Sequence, residues 1–464
     1  MKKLVALAIV CLCVGSNVAW PQVPPQEAQR FWAQWRGPDA TGVAPFGDPP
    51  LEWGEGKNVR WKVEIPGKGS ASPIIWDDRV FVVTAIPSDG TLGGATPRPG
   101  NAGATGRGGG GDHRQAFGRG GGGGFHSVAP TGVQEFVILA LSRDDGSVLW
   151  QRTARQEMPH EGAHPKGTWA SNSAVTDGVH VYAFFGSRGL YCYDVDGNLK
   201  WEKDLGDMTI RLGFGEGASP ALAGDKLIVN WDHEGQSFIV ALDKSTGEEI
   251  WRSERDELTS WTTPIVVEHD GRHQVITSAT NRVRSYDLDT GELIWEGSGV
   301  TMNAIPSPVA ADGFVYLTSG FMGNALRAIR LDVARGDISR SDAVVWEHDR
   351  DTPYVPSPLL YGDNLYILKS NSAILSSVDA KTGEVNYGPL RLEGLAEVFA
   401  SPVGASDRVY IVDRDGNALV IQNGPEFKVL ARNSLDDGFD ASPAIVGQEI
   451  YLRGNRFLYR ISEN

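Results

Sequence analysis

A chain of 464 residues is too long for one small core, which leaves several domains or one large repetitive domain. Its formal net charge of −15 makes nucleic acid and anionic lipid poor partners. Two of its three cysteines fall within the N-terminal apolar run, so Cys192 stands alone and offers neither an intrachain disulfide nor a cysteine-based zinc or haem motif.

The N-terminus reads as a secretory signal over residues 1–19. Lys2 and Lys3 precede an apolar run at 4–14, then small residues at Gly15, Ser16 and Ala19, so cleavage is expected after Ser16 or Ala19. The run is too short to span a bilayer comfortably, and no later stretch approaches a membrane helix. Val10 and Leu12 precede Cys11 and Cys13, where a lipid-modified cysteine would follow a small residue. The expectation is a monomer in the periplasm or outside the cell, soluble after cleavage and, two lysines poorer, at a formal charge of −17. Residues 20–57 read as an N-terminal extension, and 58–464 as a repetitive domain.

Within the first repeat, residues 87–127 include GRGGGG (106–111) and GRGGGGG (118–124), with almost no apolar content to offset the entropy of ordering them. A disordered loop is expected. Glycine–arginine tracts bind RNA in other settings, but Arg98, Arg107, Arg114 and Arg119 on an acidic exported chain favour a plain flexible loop.

The next feature, His160-Glu161-Gly162-Ala163-His164, matches the H-E-x-x-H pattern of zinc peptidases. That chemistry needs both imidazoles on one side of a helix, one turn apart. Pro159 precedes the pattern, Gly162 sits within it and Pro165 follows, where it disfavours α geometry at His164. The match reads as loop polarity, with a loop metal or ligand site as the alternative, and no metal is assigned.

From here the chain repeats itself. ALDKSTGEEIW (241–251) recurs as SYDLDTGELIW (285–295), with looser copies ALSRDDGSVLW (140–150), YDVDGNLKW (193–201) and SVDAKTGEVNY (377–387). A second marker, Ser-Pro or a near relative, begins at Ser72, Ser173, Ser219, Thr263, Ser307, Ser357, Ser401 and Ser442, and five of its seven intervals lie between 41 and 46 residues. In the third copy, apolar or alternating runs at 218–222, 226–231, 237–242 and 249–253 are parted by turn residues. Four strands at a period near 44 describe a propeller blade. The predicted fold is therefore all-β, an eight-bladed β-propeller of four-stranded antiparallel blades. The eighth copy lacks an outer strand, which residues 58–63 from the N-terminus would supply.

The A-x-D-x-x-T-G-x-x-x-W repeat resembles the tryptophan-docking motif of the quinoprotein (PQQ-like) propellers. That superfamily includes quinoprotein alcohol dehydrogenases and the outer-membrane assembly factor BamB. The phrases QWRGP (34–38) and NWDHEGQSF (230–238) resemble its exported bacterial BamB-like branch. The resemblance implies that Trp61, Trp150, Trp201, Trp251, Trp295 and Trp346 staple neighbouring blades. It implies a non-catalytic binding or scaffold propeller whose partners are envelope proteins or a small polar ligand. The alternative it carries is a PQQ-dependent oxidoreductase with calcium, acting on an alcohol or sugar; adjacent cysteines and a haem-attachment motif, features of many such enzymes, are missing from the mature sequence.

Strand alternation places the turns between second and third strands on the same face as the blade-to-blade loops. Candidate ligand residues on that face are His164, Lys166, Trp169, Arg211, Glu216, Asp232, His233, Trp261, Asn303, Tyr354, Glu397 and Asp440. Rings that stack and cations that pair with anions would suit a polar planar ligand; the competing reading is an ordinary wet channel entrance. Asp194-x-Asp196-Gly197-Asn198 and Asp413-x-Asp415-Gly416-Asn417 hint at calcium loops but lack the closing Glu, so they read as hairpin turns.

Overall fold

The computed structural model describes residues 25–88 and 127–463. The signal assigned to 1–19, and residues 89–126 of the glycine-rich stretch, lie outside the described residues. Pro87, which the sequence reading put in that loop, instead ends the strand Arg79–Pro87 opposite Gln134.

Eight sheets follow one another along the chain as the blades of a propeller. The third blade is typical, with strands Ala221–Ala223, Lys226–Trp231, Ser237–Asp243 and Glu249–Arg255 from the inside outward. Its inner strand starts later than the sequence pattern suggested, because Pro220 has no N–H for the ladder and Ser219 turns its own N–H to a neighbouring blade. The middle strands carry the core: Ile228, Val229, Ile239 and Val240 are wholly buried. Side chains of this size contribute about 1.5–3 kcal/mol each when fully buried. In blade 8, Val59–Glu64 pairs antiparallel with Phe457–Ile461 and forms the outer strand.

Outer-strand tryptophans join successive blades. The indole Nε1 of Trp61 donates to Arg143 O at 3.0 Å, Trp150 to Val195 O at 2.8 Å, and Trp201 to Lys244 O at 3.0 Å. Trp251 donates to Leu288 O at 2.9 Å and Trp346 to Ala380 O at 3.0 Å. Each ring lies on the glycine of the next blade's turn; at Gly247, with φ +72°, a β-carbon would stand 2.7 Å from the Trp201 ring. Trp295 departs from this pattern. Its indole donates to Gln274 Oε1 within its own blade, at 3.2 Å, and is buried with Leu331, Ala334 and Ile338 of the next. The turn after Leu331 is lengthened, and Gly336–Asp337 runs parallel to Trp295 and Glu296 as a fifth strand of blade 4, so no tight glycine turn receives the ring.

The Ser-Pro marker has a structural role that its spacing alone did not reveal. Ser72 N–H donates to Ser173 Oγ at 3.0 Å, Ser173 to Ser219 at 2.9 Å, Ser219 to Thr263 at 3.0 Å and Thr263 to Ser307 at 2.8 Å. Ser307, Ser357 and Ser401 continue to Ser357, Ser401 and Ser442, each at 2.9 Å. Seven hydroxyls thus line the channel as a belt, each satisfying the N–H of a residue that precedes a proline or small residue.

The other end of the channel is closed by the segment read as an extension. Trp32 bridges Ile75 of blade 1, the Ala33 carbonyl accepts Thr176 N–H of blade 2, Gly42 and Ala44 bracket Gly404 of blade 7, and Asp48 N–H reaches Gly447 O of blade 8. Arg36 is 2% exposed, and its guanidinium donates to Pro402 O at 2.6 Å, Pro358 O at 2.5 Å and Thr41 O at 3.0 Å.

Candidate functional site

Because inner strands begin on one face, the loops that enter them converge there on a cavity of about 630 Å³. Every blade junction contributes to its wall, and Trp35 of the N-terminal segment reaches it from the closed side. Among the sequence-derived candidates, His164, Lys166, Glu216, Trp261, Tyr354 and Asp440 line this cavity. Trp261 is held by its Nε1 donating to Gly215 O at 2.7 Å, and Tyr354 stacks on Phe321 with centroids 4.8 Å apart. Phe214 and Phe399 add apolar wall.

The charged wall residues are paired. Glu216 accepts from Ser187 N–H at 2.6 Å, Ser187 Oγ at 2.7 Å and Arg188 at 2.9 Å; burial nevertheless pushes its pKa up. Asp440 takes a bidentate pair from Arg414, at 2.6 and 3.2 Å. Lys166 crosses the mouth to Glu397, at 2.6 and 2.8 Å, and Arg414 approaches the same carboxylate at 3.2 Å. The Lys166 hydrogen bond, followed by the smaller contribution from Arg414, holds Glu397 below its ordinary value.

The remaining candidates do not reach the cavity. Asp232 is buried in a bidentate pair with Arg255, at 2.7 and 3.1 Å, and also accepts from Ser260 Oγ at 2.6 Å. His233 accepts Thr209 N–H at 3.0 Å and contacts Gln236 O at 3.1 Å. Asn303 is buried behind Tyr354, 3.5 Å from its hydroxyl. Arg211 lies in a short turn whose N–H donates to Thr259 Oγ1 at 3.0 Å. Trp169 borders a separate small recess beside Arg188 and Glu161, and Glu397 stands at the mouth. Sharing a face was therefore too coarse a criterion, since loops on that face also bury polar side chains between blades.

No helix forms at His160–His164, which is a loop bridged at Ala163 to Val128. His160 Nε2 lies 2.7 Å from Met208 O, Glu161 accepts Ile210 N–H at 2.8 Å, and His164 Nδ1 accepts Lys166 N–H at 3.1 Å. The three side chains serve three different contacts. Asp194 and Asp413 likewise accept N–H groups of their own turns, from Asn198 at 2.8 Å and Asn417 at 2.8 Å. Sequence reasoning missed Trp35, Arg36, Phe214, Phe399 and the counter-ions Arg188 and Arg414. A usable signal existed for the last two, because both lie in turns between second and third strands on the channel face.

A family model described as outer membrane protein assembly factor BamB matches residues 134–238 and 235–462. The chain belongs to this BamB-like family. No curated protein matches it. Among solved structures, BamB from Moraxella catarrhalis is 16% identical with a TM-score of 0.49, over 72% of this chain and 92% of that one. Quinohemoprotein alcohol dehydrogenase from Comamonas testosteroni is 10% identical with a TM-score of 0.62, over 95% of this chain and 82% of that one. A europium-containing methanol dehydrogenase is 10% identical with a TM-score of 0.58, over 91% and 89% respectively. At such identities the dehydrogenases show a shared fold and nothing about chemistry. Among the described residues of this BamB-like chain, no helix is long and apolar enough to cross a membrane.

A quinone with calcium would need carboxylate and amide oxygens free to face the ion. The two carboxylates lining the cavity, Glu216 and Asp440, are each already bound by an arginine. The residues present do not fit that pair of cofactors.

Proposed function

We propose that this protein is an exported binding propeller of the bacterial envelope, whose blind cavity takes a small polar ligand or a short segment of an envelope partner. The observation that carries the reading is the closure of the channel by Trp35 and Arg36 beneath a pre-formed cavity whose carboxylates are both neutralised. Such a site is shaped to hold and leaves no unpaired acid or base on those carboxylates to react. Export rests on the N-terminal sequence, and the envelope setting on membership of the BamB-like family.

The test places a photo-reactive amino acid at Phe399, in the cavity wall, and separately at Phe46, which is exposed. Cross-linking of one defined envelope component from Phe399, competed by excess unlabelled protein and not seen from Phe46, supports the reading. A parallel titration with PQQ and calcium, followed by tryptophan fluorescence, is expected to show no saturable binding. One-to-one binding lost in Trp261→Ala would overturn the proposal and restore the oxidoreductase alternative.

A further inference from the structure

The hydroxyl belt does not close. Seven blade junctions are bonded, but at the eighth, between blades 8 and 1, Ser442 N–H has no partner among the described residues and neither does the buried Ser72 Oγ. Both residues line the cavity. A backbone N–H can only donate and a hydroxyl can donate or accept, so an acceptor oxygen placed at this junction would satisfy both.

A cation at the closed end of the channel favours an anionic acceptor. Arg36 donates to Pro358 O of blade 6 and Pro402 O of blade 7, and its sequence neighbour Trp35 lines the cavity. Its contacts are neutral carbonyls, and its Nε is buried without a partner. Burial pushes its pKa down to about 9, which leaves it cationic near neutrality. Glu216 and Asp440 in the wall carry their own arginines, so neither is free to compensate Arg36 at the closed end. Buried as Arg36 is, its charge acts over longer distances than it would in solvent. Higher up, Trp261, Phe214 and Phe399 present apolar surface.

We infer that the gap between Ser442 and Ser72 is an anchor for the carboxylate of a small organic acid, whose apolar body packs against the aromatic wall above. The inference rests on the binding reading given above and specifies the chemistry of what is bound. One carboxylate oxygen accepts from Ser442 N–H and Ser72 Oγ–H, completing the belt at its open junction. The cavity volume of about 630 Å³ lies in the range of small-molecule sites.

The experiment uses phenylacetate and its uncharged analogue phenylacetamide, titrated into the full exported chain and followed by tryptophan fluorescence and calorimetry. Saturable binding of phenylacetate, at least ten-fold tighter than the amide, is expected. Ser72→Ala should weaken phenylacetate about ten-fold and leave the amide unchanged, as befits one hydrogen bond to a charged group. This variant deletes a hydroxyl that holds nothing else, so an unchanged melting temperature confirms that the fold persists. Equal affinities for acid and amide, an unaltered phenylacetate affinity in Ser72→Ala, or no saturation at tens of millimolar would each overturn the anchor. Acid and amide bound equally would spare the binding reading, whereas loss of the Phe399 cross-link would remove both.

Discussion

Arg36 and Pro402 are 366 positions apart in the chain, yet the guanidinium of one donates to the carbonyl of the other at 2.6 Å. The contact makes the N-terminal segment part of the propeller's closed end. Arg36→Met leaves Pro358 O and Pro402 O without this donor, which is expected to cost about 2–4 kcal/mol after the relief of a buried charge. Urea denaturation should show a lower midpoint with an unchanged slope. Arg36→Lys should recover only part, since one ammonium cannot reproduce the fork that reaches both carbonyls. Wild-type stability in Arg36→Met would show that the segment merely lies against the ring.

A second expectation concerns acid. Glu449 in blade 8 is 8% exposed and accepts from Arg143 of blade 1, at 2.8 Å, and from Arg460 and Tyr451. Burial acts to raise its pKa, but these donors outweigh it and hold the carboxyl below the ordinary 4.5. The folded state therefore gains stability that is complete above the unfolded value and lost as pH falls through the folded one. The loss should be felt first where blade 8 meets blade 1. Thermal melts at neutral and acid pH should differ less in Glu449→Gln than in the parent chain; an equal difference would place the acid sensitivity elsewhere.

The tryptophan staples can be tested at the glycines that receive them. Gly271 and Gly247 have nearly the same positive φ, +75° and +72°, but a β-carbon at Gly271 meets nothing within 4 Å, whereas one at Gly247 meets the Trp201 ring. Gly271→Ala should cost only the backbone term, about 1 kcal/mol. Gly247→Ala should add about 1–3 kcal/mol of overpacking. Matching melting temperatures for the two variants would show that the ring yields freely.

These contrasts mark how much the sequence could disclose. Blade count and five of the six docking tryptophans were legible because those repeats state them locally, as a turn, a glycine and an indole at fixed spacing. The role of the Ser-Pro marker was hidden because each hydroxyl serves the blade before it, some 44 residues away for Ser219 and Thr263. Residues 32–48 carry no period at all, and their backbone bonds run to single residues in four blades, so no local pattern announces them. Asp232 was placed on the correct face but proved unavailable, because its partner Arg255 ends the outer strand 23 positions later. Alternation along a strand gives a face; it does not give the partner that another strand of the same blade brings up.

The belt supplies the last test, since its members differ in what they satisfy. Ser219 Oγ accepts the buried N–H of Ser173, so Ser219→Ala leaves that donor unpaired at a cost of about 1–2 kcal/mol. Ser72 Oγ accepts nothing, so Ser72→Ala should be neutral or slightly stabilising, although both positions carry the same residue type in the same motif. The two substitutions remove identical atoms from the same ring, which cancels most differences in the unfolded state. Chemical denaturation of the pair reads the difference directly. A cost at Ser72 equal to that at Ser219 would mean that the eighth junction is bonded in solution, and the anchor assigned to the gap would fall with it.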